Sequence, residues 1–428
     1  MKLLVFCLAA MAGTALAKED GSGVLMEISH PHAEARLVGL SAEGLFTFQV
    51  GKDARRVPAA DLVAWGAPVE PRDAPQVLLA NGSLVVVREI LKTQDERLLL
   101  DSDAFGEFAV PLSAIAGVLL HPPIDAQRRD RLAARFALPR AGNDQPSTDK
   151  AARGDRLLLE NGDELSGAVT AMTDSAVEFT SDVGPLTVDR QRIIALGFDP
   201  SGWSEAMPPF APRTQRSSAE QAINAPSQRE QPSLSQRFLV GLRGGGVLKV
   251  AALTLDHDRA QMTVSDDLKL TAPAASVVFV QTIDGRAVYL SDLAPKSYRH
   301  LPYLSIAWPY RLDANVTGTR LRAGGKIYAK GVGMHSTSRL TFRLEKAYRR
   351  FQAELAIDDQ TQLSGSVVFR VLAGQREIYQ SGMVRGGDPP LPVSVDVAGV
   401  DQLSLIVDYA DRADELDHAD WLNARLIE

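Results

Sequence analysis

Arg156–Phe198 reads RLLLENGDELSGAVTAMTDSAVEFTSDVGPLTVDRQRIIALGF, and its punctuation decides the fold of the N-terminal part of the chain. An apolar run breaks at Asn161-Gly162 and resumes as the alternating ELSGAV. Asn-Gly between two alternating runs is a strong hairpin signal, because two-residue hairpin turns need positive φ at both central positions. Two further short strands follow, AVEFT and PLTVD, and the unit closes on IIALGF. The same order of runs and turns returns three more times. Val77–Leu119 contains VLLANGSLVVVREI, RLLLDS and GEFAVPLSAIAGVL; Phe238–Val280 contains LVGLRGGGVLKVAAL, AQMTVS and LKLTAPAASVVFV. Val24–Trp65 is the weakest copy, with MEISHPHAEARLVGL, GLFTFQV and RRVPAADLVAW.

A proline falls at matching positions in three copies, Pro58, Pro111 and Pro273, just before the last turn and strand, where no ladder donor is missed. Each copy is thus about five short strands, a pattern similar to small Sm-like or SH3-like barrels. Units of this size hold a thin core and are expected to pack on one another. The predicted repeats occupy 18–70, 71–121, 155–200 and 236–284. Two connectors differ from them. In 122–154, Pro122–Arg140 sets Leu132, Phe136 and Leu138 among arginines and predicts an amphipathic helix followed by a loop. Residues 201–235 are rich in Pro, Ser, Gln and Ala and predict a disordered linker. His30 and His32 have H-x-H spacing, but they fill the slot of the Asn-Gly turn in the other copies, so a turn is the reading; His257 falls in an inter-strand loop.

The chain has 428 residues, 45% hydrophobic and 23% charged, with a formal charge of -7. That is a multidomain globular composition. No basic stripe of the kind that binds nucleic acid is present, nor a polybasic membrane-surface run. Lys2, the apolar Leu3–Ala12 and the small-x-small Ala15–Ala17 read as a signal peptide over 1–17, cleaved after Ala17, which implies a secreted or periplasmic protein. The single cysteine, Cys7, lies inside that segment, so the mature chain would have no disulfide, thiolate metal site or cysteine nucleophile. No later apolar run reaches the roughly 18 residues of a spanning helix, so no membrane insertion is expected.

After Asp284-Gly285 the texture changes. RLTFRL, RFQAELAI, SVVFRVL, VSVDV and LSLIVDY alternate with turn clusters, the pattern of an antiparallel β-sandwich. The predicted fold class is all-β, with tandem small β-barrel repeats followed by a jelly-roll β-sandwich over 285–428. Five stretches in this region, YLSDL, GGKIYAKGVGMHS, YRRFQAELAIDD, GSVVFRV and DHADW, resemble the NPCBM family, named for carbohydrate-binding modules. The resemblance covers about Val288–Glu428 and none of the repeats. It implies a galactose-binding-like sandwich that binds glycan, with galactose-type ligands in some members. Sandwiches of this fold often carry a structural calcium, and aspartate and carbonyl oxygens suit that ion.

Sugar sites set an aromatic face against the ring and a few polar groups on its hydroxyls. The aromatic candidates are Trp308, Tyr310, Tyr328 and Trp421; the polar ones are His335, Asp358, Asp359, Asp417, His418 and Asp420. The motifs GVGMHS and DHADW are expected to meet at one end of the sandwich. For His335, between Gly333 and a Ser-Thr-Ser cluster, three readings stay open: a buried turn residue, a ligand contact or a metal ligand. Trp421 and Trp308 could equally be core, and Asp358-Asp359 could equally cap a turn. No H-E-x-x-H, G-x-S-x-G or P-loop occurs. Small repeats offer no cleft for the carboxylate pair of a glycosidase, so the chain reads as a non-enzyme. The expectation is an exported, non-catalytic carbohydrate-binding protein with no required cofactor, whose repeats serve as platform and possible protein-contact surface. Its rivals are a structural or assembly protein, and an accessory protein associated with glycoside hydrolases.

Overall fold

The structure is a computed structural model that describes residues 21–135, 154–181, 183–198, 237–303, 306–345, 348–411 and 413–428. The expected signal segment, the linker over 201–235, and Phe136 and Leu138 of the expected amphipathic segment lie outside these residues. The protein is all-β, with antiparallel sheets throughout.

Each repeat is built the same way. Its first strand pairs on one side with the second strand and on the other with the last. Ser22–Glu27 lies between Ala33–Leu40 and Leu62–Gly66. Gln76–Leu79 lies between Leu84–Val86 and Ile115–Leu119. Asp155–Leu159 and Phe238–Leu242 repeat the arrangement. The hairpin turns differ from the expectation. Only the glycine is left-handed, at Gly82 (φ 83°), Gly162 (φ 88°) and Gly245 (φ 89°). Asn81 and Asn161 instead use their side chains, which accept from the backbone N–H of Ser83 and Asp163. This is the three-residue hairpin loop ending in a left-handed residue, where asparagine's value is its side-chain oxygen.

The small barrels expected for the repeats do not close. Among the described residues the fourth strands, Asp53–Pro58, Gly106–Pro111, Gly184–Asp189 and Leu268–Pro273, pair only with the strand before them. Pro58, Pro111, Asp189 and Pro273 each stand before a three-residue 3-10 turn that redirects the chain to the last strand. A proline there supplies no ladder donor and holds φ near the value the turn needs. The last strands then join the repeats in pairs. Val280 faces Trp65 across repeats four and one, and Val118 faces Leu196 across repeats two and three. One hydrophobic core, from Leu25 to Val280, runs through all four. The helix Ala126–Ala134, capped by Asp125, lays Leu132 on Leu119, Leu158 and Ala195.

The C-terminal region is a two-sheet sandwich. One sheet runs Arg311–Leu312, Gly331–His335, His418–Ile427, Arg350–Ile357, Leu391–Asp396; the other runs Pro295–His300, Ser338–Arg343, Gln402–Tyr409, Ser366–Ala373, Arg376–Arg385. Phe342, Phe351, Phe369, Leu405 and Trp421 fill the space between them. Trp421 is fully buried and meets Phe369 edge-on at 5.0 Å. It is a core residue and presents no face to solvent, which removes it from the candidate platforms. The final strand is buried along its whole length because its outer face is covered too. A hairpin, Leu321–Ala323 with Lys326–Tyr328, lies over Leu422 and Ala356. The repeats cover the far end, where Ile427 packs on Val63, Gln281 donates to Asn423 at 3.3 Å and Tyr289 donates to the carbonyl of Val63 at 3.2 Å.

Trp421→Ala should therefore destabilise the sandwich by about 3–5 kcal/mol, read as a lower guanidinium midpoint for the full chain. A loss under about 1 kcal/mol, the size expected of a surface change, would contradict this packing.

Candidate functional site

The antiparallel register sets GVGMH against HADWL residue for residue, with His335 directly opposite His418. Strand alternation sends Val332, Met334, Ala419 and Trp421 into the core and puts His335, His418 and Asp420 on the outer face. The two glycines serve close approach. A side chain at Gly331 would come within 2.7 Å of the Trp421 carbonyl oxygen, and one at Gly333 within 2.5 Å of the backbone of Ala314 and Asn315. Only glycine lets those segments lie against the strand.

At the open end of these strands the rings gather. Trp308 stacks on His335 with centroids 4.7 Å apart and planes 4° from parallel. His418 lies 5.7 Å from His335 and 5.5 Å from Trp308. His300 meets His335 edge-on at 6.0 Å. The histidine imidazoles are placed by hydrogen bonds. His300 donates from Nε2 to the Ser336 carbonyl at 3.0 Å and accepts at Nδ1 from the Trp308 N–H at 3.2 Å. His335 donates from Nδ1 to the same carbonyl at 2.7 Å. The Gln360 amide donates to Nδ1 of His418 at 2.9 Å, and its oxygen accepts from the Thr317 hydroxyl at 3.1 Å. Below them Asp417 is fully buried, accepting from the Ser336 hydroxyl at 2.6 Å and the Ser366 N–H at 2.8 Å.

This bonding assigns the tautomers. His335 keeps an acceptor at Nε2 and His418 a donor at Nε2, neither engaged by another described residue. Burial holds both rings neutral, lowering His335 to about 4 and His418 to about 3. Burial also pushes Asp417 up to about 6. The carboxylate of Asp414 lies close enough to the His300 and His335 rings to favour their protonated forms, against the larger effect of burial. A neutral donor, a neutral acceptor and a half-buried indole suit a hydroxylated, uncharged ligand with an apolar face.

The other candidates fall in different places. Tyr310 packs beside the site on Tyr298, at 5.0 Å. Asp358 is buried, accepts from the backbone N–H of Gln360 and Arg322, and so caps the turn that carries Gln360. Asp359 accepts from Gly324 and Gly325 and pins the hairpin turn. Tyr328 lies on that hairpin, its hydroxyl donating to Glu354, and belongs to the apolar cluster over Leu422. Asp420 is fully buried beside Asp358, and burial raises its carboxyl well above the usual range. Among the described residues no group of three His, Cys, Asp or Glu is arranged to hold a metal ion. His300, Ser336, Gln360 and Asp414 went unnoticed in the sequence. Only His300 carried a signal, an imidazole beside the aromatic turn LPY.

Residues 286–427 match the model of the NPCBM/NEW2 domain. This C-terminal sandwich is an NPCBM domain. Over 117 residues the chain is 36% identical to alpha-1,3-galactosidase B of Akkermansia muciniphila, a stretch that is 26% of this chain and 15% of that enzyme. Among solved structures it is similar to the CBM51 of Clostridium perfringens GH95 in complex with methyl-galactose, at 26% identity, covering 33% of this chain and 99% of that one, TM-score 0.30. It is also similar to the CBM51-2 and INT domains of Clostridium perfringens ZmpB in complex with GlcNAc, at 25% identity, covering 42% of this chain and 38% of that one, TM-score 0.31. The four repeats lie outside the family match.

The neutral imidazoles tie the NPCBM domain's stability to pH. Their lowered folded values mean that the stability they contribute is full above about pH 6.5 and is lost as pH falls toward 4 and 3. Asp417, raised to about 6, acts in the opposite sense, its contribution fading as pH rises through 6. His418→Gln, which keeps a neutral polar group, should flatten the decline in melting temperature between pH 6.5 and 4. An unchanged slope would mean that the ring is not held neutral.

Proposed function

We propose that this chain is an exported, non-catalytic glycan-binding protein whose NPCBM domain takes a neutral, galactose-type sugar at the Trp308, His335 and His418 cluster. The observation that carries the reading is that cluster itself, in which GVGMHS and DHADW meet on one aromatic side chain. A sugar ring has an apolar face for an indole, and each hydroxyl both donates and accepts, matching the Nε2 acceptor of His335 and the Nε2 donor of His418. The galactose preference is supported by the likeness to a galactosidase. The absence of catalysis is supported by the state of the nearby carboxylates. Both oxygens of Asp417 are engaged, and Asp358 and Asp420 are buried. Export rests on the signal-like segment over 1–17. No described helix is long and apolar enough to cross a membrane. Calcium, if the domain carries it, would show as a chelator effect.

A second reading has its own observation. Leu301, Tyr303 and Ile306, 52%, 64% and 41% exposed, stand on the loop that leads to Trp308. An apolar rim of this kind also suits a protein contact.

A glycan array of the full mature chain, with and without chelator, decides between them. Terminal α-linked galactose should bind, and His418→Ala or Trp308→Ala should cost about tenfold or more, as for a central contact residue. Galacturonate and sialylated glycans should bind worse than their neutral counterparts, because the Asp414 carboxylate stands beside the rings. Silence across the array from a folded chain would overturn the sugar reading and favour the protein contact.

A further inference from the structure

The hydrogen bonds that hold His418 do not end inside the sandwich. Its ring accepts from Gln360 at 2.9 Å, and its backbone carbonyl accepts from Asp358 N–H at 2.9 Å. Asp358 Oδ1 in turn accepts from Gln360 N–H at 3.0 Å, and Oδ2 accepts from Arg322 N–H at 3.1 Å. The Arg322 guanidinium leaves the sandwich altogether. It donates from Nε to Glu70 at 2.6 Å and from Nη1 to Asp130 at 2.6 Å. Glu70 lies between the first two repeats, and Asp130 is on the helix Ala126–Ala134. Asp130 is 4% exposed and is also paired with Arg320, while Glu70 is also paired with Arg129 at 2.9 Å.

We propose that the N-terminal repeats brace the sugar site through this chain of contacts, and that Arg322 is the positioning residue that transmits the brace from Asp130 and Glu70 through Asp358 to Gln360 and the His418 ring. The inference rests on reading that ring as a sugar contact. Its physical content is that the Gln360 amide, besides its bond from the Thr317 hydroxyl, is placed by a short turn whose cap is Asp358. The turn Asp359–Thr361 is tied down at Asp358, and Asp358 is held by the backbone of a residue whose side chain is clamped between two acids of another domain. The Asp130 side of the clamp is buried, while Glu70 is 43% exposed, so the pair with Asp130 is the stronger restraint on the guanidinium. The repeats are then part of the binding apparatus, and a sandwich that swings free of them would hold His418 less well.

The test uses the full chain with 15N-labelled histidine and two variants, Arg322→Gln and Gln360→Ala. Arg322→Gln leaves Asp130 with Arg320 and Glu70 with Arg129, so no acid is stranded; Gln360→Ala cuts the far end of the relay without touching the repeats. Asp130→Asn is the substitute should Arg322→Gln fail to fold. The His300 ring, held by Ser336 and Trp308 outside the relay, is the internal control. Arg322→Gln should shift or broaden the Nδ1 resonance of His418 while leaving His300 in place, and Gln360→Ala should do the same. Affinity for methyl α-galactoside should fall by about 2- to 30-fold, the range typical of residues that act at a distance through others. An unmoved His418 in Arg322→Gln would overturn the bracing, as would His300 and His418 moving together, which would mean general loosening. A wild-type chain that binds no galactoside would overturn the sugar reading instead, and the ring resonances would still decide whether the repeats hold the site.

Discussion

The structure depends on one strand being buried on both faces. His418–Ile427 lies at the centre of its sheet, and every residue in it is buried. A strand in that position must find an apolar partner for each inner side chain and a cover for each outer one. The inner partners are the sandwich's own aromatics around Trp421. The outer covers come from three sources in order along the strand: the ring cluster at His418, the hairpin over Leu422, and the repeats over Asn423 and Ile427. The candidate site, the hairpin and the interdomain seam are thus three parts of one covering.

The same constraint explains why the polar groups of the site are neutral. Burial disfavours the charged imidazolium, and for His300 and His335 it outweighs the Ser336 carbonyl, whose hydrogen bond favours the proton. The Ser336 carbonyl serves two rings and the Ser336 hydroxyl is taken by Asp417. The site is therefore prearranged by bonds made within the protein. Little ordering is left for a ligand to impose.

The repeats solve a related problem by pairing. Each is too thin to close a barrel, and each leaves its last strand with one open edge. Antiparallel pairing of last strand with last strand satisfies both edges and joins the repeats in two pairs, and Val247 facing Leu84 across repeats four and two links the pairs over one core. The 3-10 turn before each last strand makes this possible, since it lifts the fourth strand out of line.

How much of this was legible in the chain can be argued residue by residue. The Asn-Gly and Gly-Gly turns, the recurring prolines and the alternating runs are local signals, because turn chemistry acts over three or four residues; they determined the strand order within each repeat and the all-β class. The family motifs also marked His335 and His418, although 82 positions lie between them. Three things were decided only by the tertiary structure. Trp421 went to the core while Trp308 went to the site, because strand register and not residue type sets which face a side chain takes. His300 and Gln360 joined the rings from segments with no motif, since contacts across sheets leave no periodicity in the sequence. The repeats' closure was settled by their neighbours, because a strand edge is satisfied by whatever backbone lies beside it, and nothing in a single repeat specifies that partner.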